Sequence, residues 1–247
     1  MRLHRFYYAG LVLAALVVTG GIAIAAGKHH IATPAIKERV MAIGGSVAHG
    51  WKDVKGEGYL HRAFQTYQKA TDVSYTYYDR TIVGANGHQL ATMYKGDYSR
   101  WLNALHPTIV VISWGLLNDA LPKTTYADFA KYLKQEISEA LRDHAVVLVV
   151  SPPITKATYT QYPVQEEKYD QQEALVVKSL KNPNVYFIDL MNQMKSYLKS
   201  HHQTYKLYKG DGWHPNTRGH ILAGSLLEKD IYAIFGKGPI VIKKITD

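Results

Sequence analysis

The chain's 247 residues carry 29 Lys and Arg against 20 Asp and Glu, a formal net charge of +9, and no cysteine. The missing cysteine excludes a disulfide framework and a thiolate metal site, and the length suits one α/β domain once an N-terminal segment is set aside. Basic residues are scattered from Lys52 to Lys244 with no concentrated basic helix or nucleic-acid motif, so the charge does not point to nucleic acid, and an anionic cell envelope fits it equally well.

The first element is a targeting segment. Arg2 and Arg5 precede an uncharged stretch of about twenty residues, the length of a membrane span. Its length favours a retained membrane anchor, whereas Ala23-Ile24-Ala25 offers a small-residue cleavage site before Ala26, as in a signal peptide. Residues 1–27 therefore read as signal peptide or anchor, residues 28–38 as a polar tether containing Pro34, and residues 39–247 as the exported domain.

Within that domain, short Val-, Ile- and Tyr-rich runs predict strands at Val40–Gly44, Val73–Val83, Thr108–Ser113, Ala145–Ser151 and Val185–Ile188, each bounded by turn residues. Amphipathic runs predict helices at Tyr59–Ala70, Asp97–Ala104, Tyr126–Arg142, Gln165–Leu180, Asp189–Ser200 and Thr217–Ile234, several of them starting on a capping residue. Strands alternating with helices imply a mainly parallel sheet of about five strands, covered on both faces as a three-layer α/β/α sandwich. The segment GPIVIKKI near the end predicts an extra edge strand. In such sheets ligands gather beyond the carboxyl ends of the strands. Ser46, Gly84 and Asn118 fall just after the first three predicted strands.

The stretch AIGGSVAHGW, residues 42–51, fits none of three familiar loop patterns. Gly50 is followed by Trp51 and not by the Lys-Ser/Thr of a phosphate loop, the Gly-x-Gly-x-x-Gly spacing is absent, and Gly-Gly-Ser-Val-Ala misses the Gly-x-Ser-x-Gly nucleophile elbow by one residue. Taken alone, Ser46 is a turn residue or helix cap. A base is available in DGWHPNTRGH, where Asp211 and His214 are three apart, a spacing that lets the carboxylate reach Nδ1 and leaves Nε2 directed outward. Gly84 and Gly87 in VGANG, and Asn118 in SWGLLNDA, can supply a close backbone N–H and a side-chain amide to an oxyanion. Each has a plainer reading as well, a bend for Gly84 and a helix cap for Asn118.

Ser46, Gly84, Asn118 and His214 together resemble the four blocks of the SGNH (GDSL-like) hydrolase superfamily, from about residue 39 to 234. Gly44-Gly45-Ser46-Val47-Ala48-His49-Gly50 is similar to the family's Gly-Asp-Ser-x-x-x-Gly, with Gly45 in place of the aspartate. Gly84-Ala85-Asn86-Gly87 is similar to Gly-x-x-Gly, Gly115-Leu116-Leu117-Asn118-Asp119 to Gly-x-Asn-Asp with one residue added, and Asp211 to Asn216 to Asp-x-x-His-Pro-Asn. The resemblance implies a flavodoxin-like fold and a serine esterase that forms an acyl-enzyme without metal or organic cofactor. It makes Ser46 the nucleophile, His214 the base and Asp211 its orienting acid, with Ser46 N–H, Gly84 N–H and the Asn118 amide as the oxyanion hole.

The substrate side is less marked. Trp51, Trp114 and Trp213 adjoin three of the blocks, and Tyr159, Tyr162, Tyr205 and Tyr208 lie within reach of the same end of the sheet, a rim that suits sugar stacking or acyl-chain packing. For Trp51 and Trp114, wedging the motif loops in place is the simpler role. The expected substrate is a glycan, lipid or small-molecule ester. Acyl transfer to a surface polysaccharide and non-catalytic binding on the same scaffold are the alternatives. His49 is expected to be structural or solvent-facing, and Asp119 and Asp189 to be helix caps. His29-His30 and His201-His202 lack a third ligand at suitable spacing for a metal.

Overall fold

A computed structural model describes residues 36–244, so the stretch read as anchor or signal peptide, His29-His30 and most of the stretch read as tether lie outside the described residues. In chain order the elements are β1 (Ile36–Gly44), α1 (Ser46–His49), α2 (Gly58–Lys69), β2 (Val73–Asp79), α3 (Gly87–Thr92), α4 (Lys95–Leu105), β3 (Ile109–Ser113), α5 (Leu117–Ala120) and α6 (Tyr126–Arg142). There follow β4 (Val146–Val150), α7 (Ala157–Thr160), α8 (Pro163–Leu180), β5 (Val185–Ile188), α9 (Leu190–Ser200), a 3-10 turn (Tyr205–Leu207) and α10 (Thr217–Phe235). Among the described residues no helix is long and apolar enough to cross a membrane.

The five strands form one all-parallel sheet in the order β2-β1-β3-β4-β5, the doubly wound order of flavodoxin-like folds. Strands β3 (IVVIS) and β4 (VVLVV) are buried at every position, because helices cover both faces of a parallel sheet. Alternation then divides the core. Val40, Ala42, Val111 and Leu148 pack with Tyr59 and Phe64 of α2, Met191 of α9 and Leu227 of α10. Met41, Ile43, Val110 and Val149 face the other way, against Leu90 of α3, Leu102 of α4, Leu133 and Ile137 of α6, and Val176 of α8. Removing one such buried side chain to Ala costs about 2–5 kcal/mol in typical cores.

Side chains placed one residue ahead of the long helices set where they start. Thr125 accepts from the Asp128 N–H, Asp189 from Asn192 and Asn216 from Gly219, each satisfying a backbone donor of the first turn. Three predicted strands depart from the sequence reading by four residues or more. Strand β1 begins at Ile36, inside the stretch read as tether. Strand β2 stops at Asp79, four residues short of Val83. Beyond it the Arg80 and Ile82 N–H groups still donate to the Ala42 and Gly44 carbonyls, which keeps the chain beside β1 and delivers Gly84 to the end of that strand.

The third difference is at the C-terminus, where Gly238–Lys244 is not a strand. Ile240 is buried in the core. Further on, the Asn184 side chain donates to the Lys243 carbonyl at 2.9 Å and accepts from the Lys243 N–H at 2.6 Å. A side-chain amide thus takes up the backbone groups that the edge pairing was expected to use.

Candidate active site

Strand β1 ends at Gly44, and α1 starts two residues later at Ser46. A Cβ at Gly44 would stand 2.0 Å from the Ser113 carbonyl oxygen, so only glycine lets β1 and β3 end this close together. Gly45 caps α1 in an extended conformation, with φ −95°. The Ser46 Oγ, at the first turn, lies 2.9 Å from His214 Nε2.

His214 sits on a loop between the 3-10 turn and α10. That loop is tied on three sides: Gly210 N–H donates to the His214 carbonyl at 2.8 Å, Ala157 N–H to the Gly212 carbonyl at 3.0 Å, and Lys209 bridges Pro215. Both oxygens of Asp211 lie 3.0 Å from His214 Nδ1, and Oδ1 also accepts the Trp213 and His214 N–H groups at 2.8 and 2.9 Å. Burial works to raise the Asp211 pKa, but these donors together with the imidazole outweigh it and hold the carboxyl below its ordinary value. Since a carboxylate only accepts, Nδ1 of a neutral His214 carries the proton, which leaves Nε2 to accept from the Ser46 hydroxyl.

The segments read as oxyanion donors meet at Gly45. A Cβ there would lie 3.1 Å from Asn118 Nδ2 and 3.2 Å from the Ala85 carbonyl oxygen. Asn118 Nδ2 donates one hydrogen to that carbonyl at 2.8 Å, and its second hydrogen is free to meet another acceptor. Gly84 has φ +83°, a left-handed bend that suits glycine.

Asn86 joins these loops. Its side chain closes a capping box with Gln89 at the start of α3, and its Nδ2 donates to the Asn118 carbonyl at 3.1 Å and to Asp119 Oδ1 at 2.9 Å. The sequence reading gave Asn86 no task, although Asn-x-x-Gln at the head of a helix is a capping signature.

Asp119 differs from its expected role as a helix cap. It is 1 % exposed, takes the Asn86 amide, and burial pushes its carboxyl up to about 7. Nearby Glu136, buried in α6, accepts Trp114 Nε1 at 2.9 Å and is raised by burial to about 8. Asp189 does cap α9.

The aromatic residues separate into two groups. Trp114 and Tyr208 are buried and Tyr162 packs against the core, so these three belong to the scaffold and not to a rim. Trp51 is 45 % exposed, with its ring centroid 6.2 Å from that of His214. Trp213 donates to Gln161, and Tyr159 stacks on Tyr205 at 5.1 Å. His49 is exposed and held by Asp79 and Thr81, each at 3.0 Å. On the side of Gly84 and Asn118 an open cleft of about 930 Å³ runs between α3 and the segment 121–125. His201 turns its Nδ1 toward Tyr197 and Ser200, and among the described residues no group of three or more His, Asp or Glu side chains converges as a metal site would need.

Residues 42–222 match the model of the GDSL-like Lipase/Acylhydrolase family. None of the curated proteins matches the chain. Among solved structures the fold is similar to a family 3 carbohydrate esterase from Clostridium thermocellum, at 17% identity and a TM-score of 0.63 over 82% of this chain and 100% of that one. It is similar as well to a catalytic mutant of an acetylxylan esterase from Geobacillus stearothermophilus (16%, TM-score 0.61, 84% of this chain and 97% of that one). A lipase/acylhydrolase from Enterococcus faecalis gives 18% identity and a TM-score of 0.61 over 82% of this chain and 99% of that one.

Proposed function

Because this chain belongs to the GDSL-like lipase/acylhydrolase family, we propose that it is a serine esterase in which Ser46, His214 and Asp211 act as a triad. The observation that carries the reading is the unbroken chain from Ser46 Oγ to His214 Nε2 at 2.9 Å and from His214 Nδ1 to Asp211 at 3.0 Å. His214 Nε2 takes the hydroxyl proton as Ser46 Oγ bonds to the ester carbonyl carbon. The carbonyl oxygen becomes an oxyanion facing Ser46 N–H, Gly84 N–H and the free hydrogen of the Asn118 amide.

Collapse of that intermediate breaks the bond to the alcohol oxygen, which leaves with the proton from Nε2. Water then adds to the acyl-enzyme by the same route and releases the acid and Ser46. Asp211, held as a carboxylate, orients the imidazole and stabilises its positive charge when it is protonated. The esterases among the structural neighbours support an ester on a carbohydrate as the substrate to try first. The apolar segment led by Arg2 and Arg5 supports a domain that works outside the membrane.

Covalent labelling with a fluorophosphonate tests the nucleophile. The wild type is expected to label and to hydrolyse short p-nitrophenyl esters, and Ser46→Ala to do neither. Undiminished hydrolysis by Ser46→Ala would overturn the assignment.

A further inference from the structure

His214 Nε2 must protonate the departing alkoxide, so the alcohol portion of an ester leaves on the imidazole side of Ser46. That side carries Trp51 and an open set of cations. Lys52 follows Trp51 directly, and its Cβ and Cγ would lie 2.8 and 3.2 Å from a Cβ on Gly210. It is held at φ +69°, a left-handed turn that fixes where the side chain begins. Lys156 precedes the residue whose N–H holds the Gly212 carbonyl, and Lys209 bridges Pro215. All three lysines are exposed; Lys52 meets the 210–215 loop with the start of its side chain, Lys156 adjoins the Ala157 N–H that holds it, and Lys209 pairs with its Pro215.

The neighbouring acids are occupied. Asp53 and Glu57 bind Arg62 at 2.9 and 2.7 Å, Asp79 binds His49 at 3.0 Å, and Asp211 binds His214. Among the described residues none of the three lysines is in an ion pair with an acid, so three exposed ammonium groups on the alcohol side are left to meet an anionic ligand beside Trp51.

We propose that this rim selects esters whose alcohol portion is an anionic sugar or polyol, with Lys52, Lys156 and Lys209 meeting carboxylate or phosphate groups and Trp51 lying against ring carbons. The inference rests on Ser46 and His214 acting as proposed above, since their chemistry fixes which side the alcohol takes. Exposed cations facing an oppositely charged substrate raise its encounter rate by about 10-fold, the low end of electrostatic steering, an advantage that salt removes.

The test compares kcat/KM on O-acetylated galacturonan oligosaccharides, acetylated glycerol phosphate oligomers and O-acetylated xylo-oligosaccharides, at low and high NaCl. The expected result is an advantage of about 10-fold or more for at least one anionic substrate over the neutral one at low salt, shrinking at high salt. The two anionic arms distinguish carboxylate from phosphate. The triple variant Lys52→Gln, Lys156→Gln, Lys209→Gln is expected to lose that advantage. Lys134→Gln, Lys178→Gln, Lys181→Gln, which removes the same charge from distant exposed positions, is expected to keep it.

Equal rates on charged and neutral glycans, an advantage indifferent to salt, or equal losses in both triple variants would each overturn the proposal. So would a preference for lysophosphatidylglycerol vesicles over all three. Binding of de-esterified galacturonan and of the glycerol phosphate oligomer to Ser46→Ala, read by tryptophan emission, separates the two readings. Salt-sensitive binding to one of them without any esterase activity in the wild type sinks the hydrolase and leaves anion recognition standing, whereas no binding to either sinks the inference.

Discussion

On the face of the sheet covered by α2, α9 and α10, the acids near the site are paired: Asp53 with Arg62 and Asp211 with His214. Under α3, α6 and α8 on the other face, Asp119, Glu136 and Glu173 are buried and burial is the largest influence on each, raising all three carboxyls. The proposed nucleophile and base thus stand in a region where carboxylates stay charged and hydrogen-bonded. The Asn118 amide grows from one where charge is suppressed. Acid should therefore act on the first region and alkali on the second.

The largest effect expected from breaking this division is at Ser46, the proposed nucleophile. Ser46→Ala should lower kcat by about 10⁶-fold, the scale seen when such a serine is lost, with circular dichroism unchanged. Asn118→Ala should lower kcat by about 10²–10³-fold with a smaller change in KM, and an equal loss in both would mean that the amide binds substrate and not the transition state.

Gly45→Ala probes the seam between the two regions. Its Cβ would stand 3.1 Å from the Asn118 amide, so the amide must shift by a few tenths of an ångström, and kcat should fall about 3–10-fold. An unchanged kcat in steady-state assays would show that Asn118 tolerates the displacement.

The smallest effect is on stability. Glu136 is raised to about 8 and Asp119 to about 7, so the folded protein holds protons that the unfolded chain releases near the ordinary carboxyl range. Their stabilisation is full in acid and is lost as pH rises toward 7 to 8. Asp53 and Asp211 are lowered, and their contribution is present above the ordinary range and lost below it. Thermal melts should show Tm falling by a few degrees between pH 5 and 8, and Glu136→Gln, which can still accept from Trp114, should flatten that decline. A decline of equal slope in the variant would place the protons elsewhere.

The strands were legible because a parallel sheet buried on both faces needs unbroken runs such as VVLVV. The meeting of Ser46 with His214 and of His214 with Asp211 was legible because residue types with few shared uses recur in one order. What the order hid was how the segments of Gly84 and Asn118 reach each other. Asn86 looked like the third residue of a glycine turn, yet it spends its amide on the backbone of Asn118 and the carboxyl of Asp119. Asp119 looked like a cap because acids cap helices, and burial beneath the loops, which no local pattern encodes, gave it another task. Tyr208 similarly reads as a rim aromatic in its loop until the fold turns it into the core.

The hydrogen bonds between Asn184 and Lys243 bear on how the molecule behaves in company. Strand β5 is an edge of the sheet, and an unguarded edge invites a second chain to add to it, the first step in aggregation. Asn184 stands at the entry to that strand and fastens the C-terminal segment there with two bonds that mimic one rung of a ladder. Over its described residues the segment guards the entry to that edge without becoming a strand.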